Sequence, residues 1–209
     1  MKKIDRSEQP KRLRKRPQWR GMPIPYIALI RPDGEPDFRV TDMNARIEVI
    51  LFRKCQLCGE KIGKWLFFTG GKEAAKANQY FEPAAHLDCL LYAMQVCPFI
   101  AGRMEHAELS SIQQEYEGMG NVARVGTDPE TGVRIQVQVD ETYTTVKSPW
   151  WVIKKATDWR HLQTQGGTIL LYPTGIVCET QPLKAEEMSA EDWEVIREQL
   201  HRATFKTAS

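Results

Sequence analysis

The 209-residue chain has no apolar run long enough to span a membrane. Its basic N-terminus lacks the apolar stretch of a secretory signal, so we expect a cytoplasmic protein without a membrane partner. Cysteine is scarce, with five residues, four of them between positions 55 and 97; this is no extracellular disulfide framework. Walker loops, dinucleotide fingerprints and HExxH motifs are missing. So is the deaminase pairing of H-x-E with P-C-x-x-C. The adjacent His pair or Asp-His that a treble-clef nuclease would need does not occur either. No nucleophile–base pair can be named, and the chain is read as a non-enzyme. Cys178 lies inside a strand pattern, where a buried thiol is the default. Asp158-Trp159-Arg160-His161 reads as a loop that packs its Trp; an enzyme would need His161, Arg160 or Asp158 beside a carboxylate such as Asp140 or Glu141.

What is present is concentrated between Cys55 and Cys97. Cys55-Gln56-Leu57-Cys58-Gly59 is a CxxC turn in which two thiolates can face one ion, with Gly59 supplying the backbone freedom. His86-Leu87-Asp88-Cys89 is spaced i,i+3, which puts imidazole and thiolate on one face of a helix. Three sulfurs and one nitrogen make a closed tetrahedral set, for which Zn2+ is the usual occupant, and a closed set is structural rather than catalytic. The competing reading uses these residues as small core side chains and a surface His. Cys97 lies eight residues beyond Cys89, about two helical turns, and is expected to be a core thiol where Pro98 ends the helix.

The order of parts predicts a treble-clef-like module. A CxxC knuckle is followed by a strand at Lys64–Phe68, a turn at Thr69-Gly70-Gly71, and a helix opened by Pro83. Leu87, Leu90, Leu91, Met94 and Cys97 recur along that helix as an apolar stripe.

Charge is unevenly spread. Residues 1–20 hold nine Lys/Arg against Asp5 and Glu8, so the remainder of the chain is acidic. Apolar residues are too sparse there to fold it, and a disordered arm is expected. Lys11, Arg12, Arg14, Lys15, Arg16 and Arg20 would contact nucleic acid through phosphate, DNA or RNA alike, without sequence preference. The alternatives are a solubilising tail or one that binds an acidic protein. Trp19 is read as an anchor to the body.

The expected division is 1–20 arm, 21–102 zinc-binding module, 103–132 connector and 133–209 β-rich module. Met22–Ile30 and Asp42–Phe52 read as strands, the latter from the alternation of Ile47, Val49 and Leu51. Met104–Tyr116 suggests a short helix containing His106, an exposed polar residue in this reading. Val133, Ile135, Val137 and Val139 alternate with polar residues, and Trp150–Ile153, Thr168–Tyr172 and Ile176–Cys178 complete an antiparallel sheet of about four strands. Ser189 and Asp192 form a capping-box pattern before a helix whose Trp193, Ile196 and Leu200 share a face. The fold class is α+β.

Gly21-Met22-Pro23-Ile24-Pro25-Tyr26, the CxxCG and HxxC motifs, and Val96-Cys97-Pro98-Phe99 resemble a group of small phage- and prophage-type proteins. The resemblance covers about residues 21–180. It implies a zinc site and a mobile-element setting, without a mechanism. The basic arm lies outside the shared motifs. Together these readings describe a zinc-stabilised accessory or regulatory protein that binds nucleic acid. The alternative is an interaction protein that captures a host or defence protein, through an apolar patch such as Trp150–Trp151.

Overall fold

Strand β5 (Leu66–Gly71) comes from the cysteine-bearing half of the chain and strand β8 (Trp151–Ala156) from the other half. They pair antiparallel from Leu66↔Ala156 to Gly71↔Trp151. Strand β11 (Cys178–Glu179) joins the far side of β8, giving the order β11-β8-β5. Residues 66–70 are all buried, so β5 is covered on both faces and shows no alternation. Phe68 packs its ring against Tyr80 and Trp159, with centroids 5.7 and 6.2 Å away. The two halves therefore share one sheet and one hydrophobic core, which runs from Leu13 through Cys55, Cys89 and Leu91 to Trp193 and Leu200.

The computed structural model describes residues 9–97, 100, 125–127, 134–136, 148–164 and 169–204. Ahead of β5 lie helix α1 (Lys11–Arg14), a hairpin of β1 (Gln18–Trp19) and β2 (Met22–Pro23), a hairpin of β3 (Ala28–Ile30) and β4 (Pro36–Thr41), and helix α2 (Met43–Phe52). After it come α3 (Lys72–Ala77) and α4 (Leu87–Val96). A short hairpin of β6 (Val125–Thr127) and β7 (Arg134–Gln136) follows. Strands β9 (Asp158–Gln163) and β10 (Ile169–Thr174) form another, tied to the core where Leu171 exchanges both backbone hydrogen bonds with Tyr80. Helix α5 (Ala190–Arg202) closes the described chain.

Two adjacent lysines on β8 hold helix ends in place. Successive strand residues point to opposite faces. Lys155, 1% exposed, donates to Leu200 O at 2.6 Å and Ala203 O at 2.7 Å, the carbonyls at the end of α5. Its ammonium also stands 4.4 Å from the Trp65 ring. Lys154, on the other face, donates to Asn78 Oδ1 at 3.0 Å and Ala75 O at 3.3 Å, at the end of α3. Helix C-termini are the negative ends of the backbone dipole, and a cation there is favoured. Burial pushes the Lys155 pKa down, with Cys178 on the neighbouring strand pulling back.

Several expectations are met and several corrected. The capping box is formed, with Ser189 Oγ accepting from Asp192 N and the Asp192 carboxylate accepting from Ser189 N. Trp193 and Leu200 are buried beneath it. Asp42–Phe52 is a helix and not a strand: Asp42 caps it by accepting from Asn44 N and Ala45 N. Its buried residues Arg46, Val49 and Ile50 keep helical spacing. The apparent alternation placed Leu51 inside, whereas it is 68% exposed. Thr69-Gly70-Gly71 continues β5 instead of turning, because it pairs with Ile153, Val152 and Trp151 of β8; Gly70 is needed there for room, since a Cβ would stand 2.7 Å from the Tyr80 ring. Asp158–His161 is strand β9 and not a loop; His161 is exposed on it. Residues 9–20 are ordered and not disordered, for reasons given with the site. Of the expected strand Val133–Val139, Arg134–Gln136 is observed. The expected helix Met104–Tyr116 with His106, and Asp140 and Glu141, lie outside the described residues.

Replacing Lys155 by Met strands the carbonyls of Leu200 and Ala203 without their charged donor. We expect a loss of about 2–4 kcal/mol in urea unfolding, against little change for the exposed Lys184→Met.

Candidate metal centre

The knuckle is a short antiparallel turn. Lys54 and Lys61 form a bridge, Cys55 N donates to Glu60 O at 2.8 Å, and Gly59 N donates to Cys55 O at 2.8 Å. Gly59 has φ +78°, and a Cβ there would lie 2.3 Å from Tyr26 Cδ2, so no other residue fits the turn. Tyr26 N and Ile27 N in turn donate to Leu57 O and Gln56 O, fixing the residues between the two thiols. Buried Gln56 donates from its side chain to Pro83 O at 2.6 Å and from its backbone to Ala84 O. Ala85 exchanges backbone hydrogen bonds with Phe67. These contacts deliver His86 to the knuckle as the N-cap of α4, and Cys89 follows within the first helical turn. Helix α4 therefore starts at Leu87, four residues later than Pro83 suggested, and Leu87, Leu90, Leu91 and Met94 bury its apolar face.

The ligand atoms of Cys55, Cys58, His86 and Cys89 all lie within 4.8 Å of one another. The Cys58 sulfur is 3.4 Å from His86 Nδ1. His86 Nε2 stands 3.2 Å from Lys61 O. A carbonyl only accepts, so Nε2 carries the proton and Nδ1 offers its lone pair to the cluster, the tautomer a metal ligand needs. The three cysteines are buried and His86 half-buried.

Electrostatics explain what this pocket is built to receive. Burial disfavours a Cys55 thiolate, yet hydrogen bonds from the Cys58 and Cys89 thiols and from backbone N–H groups of Cys58 and His86 hold its pKa well below the usual thiol value. Cys89 is pushed far up by its hydrogen bonds to Cys55 and Cys58, then by burial. A charge on Cys55 is thus favoured while one on Cys89 is opposed. A divalent cation at the centre would remove that conflict and let all three thiolates form together. The four residues are placed to hold one metal ion, with soft donors and every position supplied by protein.

Cys97 ends α4 outside this cluster, as expected of a thiol that is not a ligand, but it is half-buried at the helix end and not the core thiol expected. Along α4 the eight residues from Cys89 correspond to about 12 Å.

The six cations expected to touch nucleic acid lie on a strap folded against this centre. Leu13 on α1 is 2% exposed and belongs to the core that contains the ligand cysteines, which is why the segment is ordered. Arg12 pairs with Asp88 at 3.1 Å and Glu60 at 3.2 Å, and Lys15 with Glu60 at 2.8 Å. Arg16 donates to Ile24 O and lies over the Tyr26 ring at 5.2 Å. Arg14 donates to Gln9 O at 2.8 Å. Lys11, Arg14, Lys15 and Arg20 are exposed, Arg20 at the tip of the β1–β2 hairpin and 5.6 Å from the Trp19 ring. Burial lowers the Arg12 pKa, but Asp88, Cys89 and Glu60 together more than offset it and raise it. Sequence reasoning missed Glu60 and Asp88 as partners, although Glu60 directly follows the CxxCG motif and Asp88 lies inside HxxC.

Cys58→Ser should remove the bound metal and, with it, folding free energy on the order of 10 kcal/mol, a value typical of peptide fingers. The expected result is an aggregated or unfolded protein, read by metal content and melting together; a soluble metal-free variant with unchanged melting would contradict it. Gly59→Ala should melt several degrees lower while still binding one metal ion, because its clash is with Tyr26 and not with the ligands.

No protein family, curated protein or solved structure matches this chain.

Proposed function

We propose that Cys55, Cys58, His86 and Cys89 hold a structural zinc ion in a treble-clef-like finger, within a non-enzymatic cytoplasmic protein that binds nucleic acid. In this reading the protein is an accessory or regulatory factor of a phage or mobile element, a setting that rests on the resemblance of its motifs. Zinc is the metal favoured by three thiolates and one imidazole. With all four positions filled by side chains, no place remains for a water or substrate. The zinc would tie the knuckle to α4 and make metal binding part of folding. The finger departs from the expected pattern in one respect: β5 finds its mate in β8 from the distant half rather than in a local hairpin.

The observation that carries the nucleic-acid reading is the strap seated on this centre. Residues 9–20 hold six cations and no carboxylate. Even with Arg12 and Lys15 facing Glu60 and Asp88, the strap keeps an excess of positive charge on one surface. Such a surface binds phosphate with salt-sensitive, sequence-independent affinity. The hairpin presents Arg20 beside Trp19, a pairing suited to stacking on unpaired bases. A protein-capturing role draws support from Leu51 and Phe52, 68% and 60% exposed at the end of α2. Trp150 and Trp151 support that role less, since both are half-buried and Trp151 packs against the core.

The test is a titration of the zinc-loaded protein with single-stranded DNA and RNA at low and moderate salt. Because Leu13 belongs to the core, the comparison is with Lys11→Gln/Arg14→Gln/Arg20→Gln rather than a truncation. Binding should fall with salt, and the triple variant should flatten the log–log salt slope by about 2, three contacts at about 0.7 each. Binding by neither protein at low salt would overturn this reading and favour the protein partner.

A further inference from the structure

Several of the strap's contacts with the body gather around the metal ligands. Among the described residues, Arg12 reaches Asp88, inside the HxxC motif, and Glu60, next to the CxxCG turn. Lys15 reaches the same Glu60. Leu13 is buried in the core that holds the ligand cysteines. Arg16 lies over Tyr26, whose ring fills the space above Gly59 and whose backbone binds Leu57. Glu60 O also accepts from Cys55 N, so the turn that positions a ligand positions this carboxylate too.

We infer that Glu60 and Asp88 form a latch, set by the metal-bound knuckle, that holds the basic strap down and withholds part of its charge from phosphate. This rests on the nucleic-acid reading for its consequence, not for its mechanics. A zinc ion with three thiolates and a neutral imidazole carries a net charge of −1, which adds to the pull of the two carboxylates on the strap. With metal in place, Arg12 and Lys15 face carboxylates and Arg16 faces a ring and a carbonyl. When metal is withdrawn, the knuckle that places Glu60, Asp88 and Tyr26 loses its fixed geometry. The strap is then freed and its cations become available to an anionic partner. The contacts are partly solvent-exposed pairs, with Arg12 42% and Glu60 40% exposed at the side chain, so the latch is reversible and weakened by salt.

The deciding variant is Glu60→Gln/Asp88→Asn, which leaves the four ligands and the core untouched. Limited trypsin digestion, with mass spectrometry at the bonds after Lys11, Arg12, Arg14 and Lys15, reads strap release without reference to any ligand. Zinc content and melting confirm that the body stays folded. We expect the zinc-loaded variant to be cut about tenfold faster at these bonds than the wild type, the scale that a network of three such pairs supports. Added salt should speed cleavage of the wild type and leave the variant nearly unchanged. Equal protection of the two zinc-loaded proteins would overturn the latch. In the titration with single-stranded oligonucleotide, the variant should bind more tightly, with a salt slope steeper by about 1.4, two cations at about 0.7 each. Weaker binding would overturn the withholding role and make the docked strap itself the binding platform. Faster cleavage with no oligonucleotide binding by either protein would refute the nucleic-acid reading alone and leave the latch standing.

Discussion

Three thiols and an imidazole held within 4.8 Å of one another in a buried pocket form a group that its own chemistry opposes. Burial disfavours the Cys55 and Cys89 thiolates, and the hydrogen bonds that favour a charge on Cys55 hold Cys89 in its thiol form. A cation reverses the balance, because it makes all three charges favourable at once. Much of the architecture is conditional on this group. The turn with Gly59, the Tyr26 ring packed on it, the arrival of α4 at His86 and the seat of the basic strap are all fixed to the same few residues. A bound metal would contribute on the order of 10 kcal/mol, comparable to the whole stability of a domain, and would then govern whether this half of the sheet is built.

Away from the metal, the recurring device is a buried cation set against carbonyl oxygens. Lys155 closes α5, Lys154 closes α3, and Arg46 of α2 donates to Phe81 O and to Ile169 O, each at 2.6 Å. The last contact joins residues 123 positions apart and stitches α2 to β10. Burying a charge is costly unless several oriented acceptors receive it. Here the acceptors are oxygens at two helix ends, the Phe81 carbonyl and the carbonyl of Ile169 at the start of β10. The cations thus choose one arrangement of helices around the sheet, and a shift of any helix end would leave both charge and carbonyls exposed to that cost.

The strap shows how little is needed to order a segment whose composition argues for disorder. Six cations among twelve residues repel one another, and only Leu13 is a deep apolar anchor. Glu60 and Asp88 answer part of that charge, Tyr26 receives Arg16, and a two-residue hairpin turn at Arg20-Gly21 brings the chain back toward the sheet. Glu60, Asp88 and Tyr26 all lie outside the segment. Composition describes what a stretch does alone; here the rest of the fold supplies what it lacks.

The same distinction separates what the chain announces from what it conceals. The CxxCG turn, the HxxC pair and the Ser189–Asp192 box were legible because each is a relation between residues a few positions apart, fixed by backbone geometry that any fold shares. The apolar stripe of α4 was legible for the same reason. Helix α2 was misread because Ile47, Val49 and Leu51 alternate by chance, while its true signals, Asp42 as a cap and the spacing of Arg46, Val49 and Ile50, were weaker in sequence. The role of Lys154 and Lys155 was hidden because they look like an ordinary charged pair until two helix ends arrive above and below them. The pairing of β5 with β8 across some ninety residues was equally invisible, since strand partners are selected by complementary burial once the chain has collapsed. Sequence alone determined the donor set and the local turns that present it. Tertiary structure decided which carboxylates meet the strap, which carbonyls receive the buried lysines and that both halves form one core, because those depend on contacts between segments that no local spacing encodes.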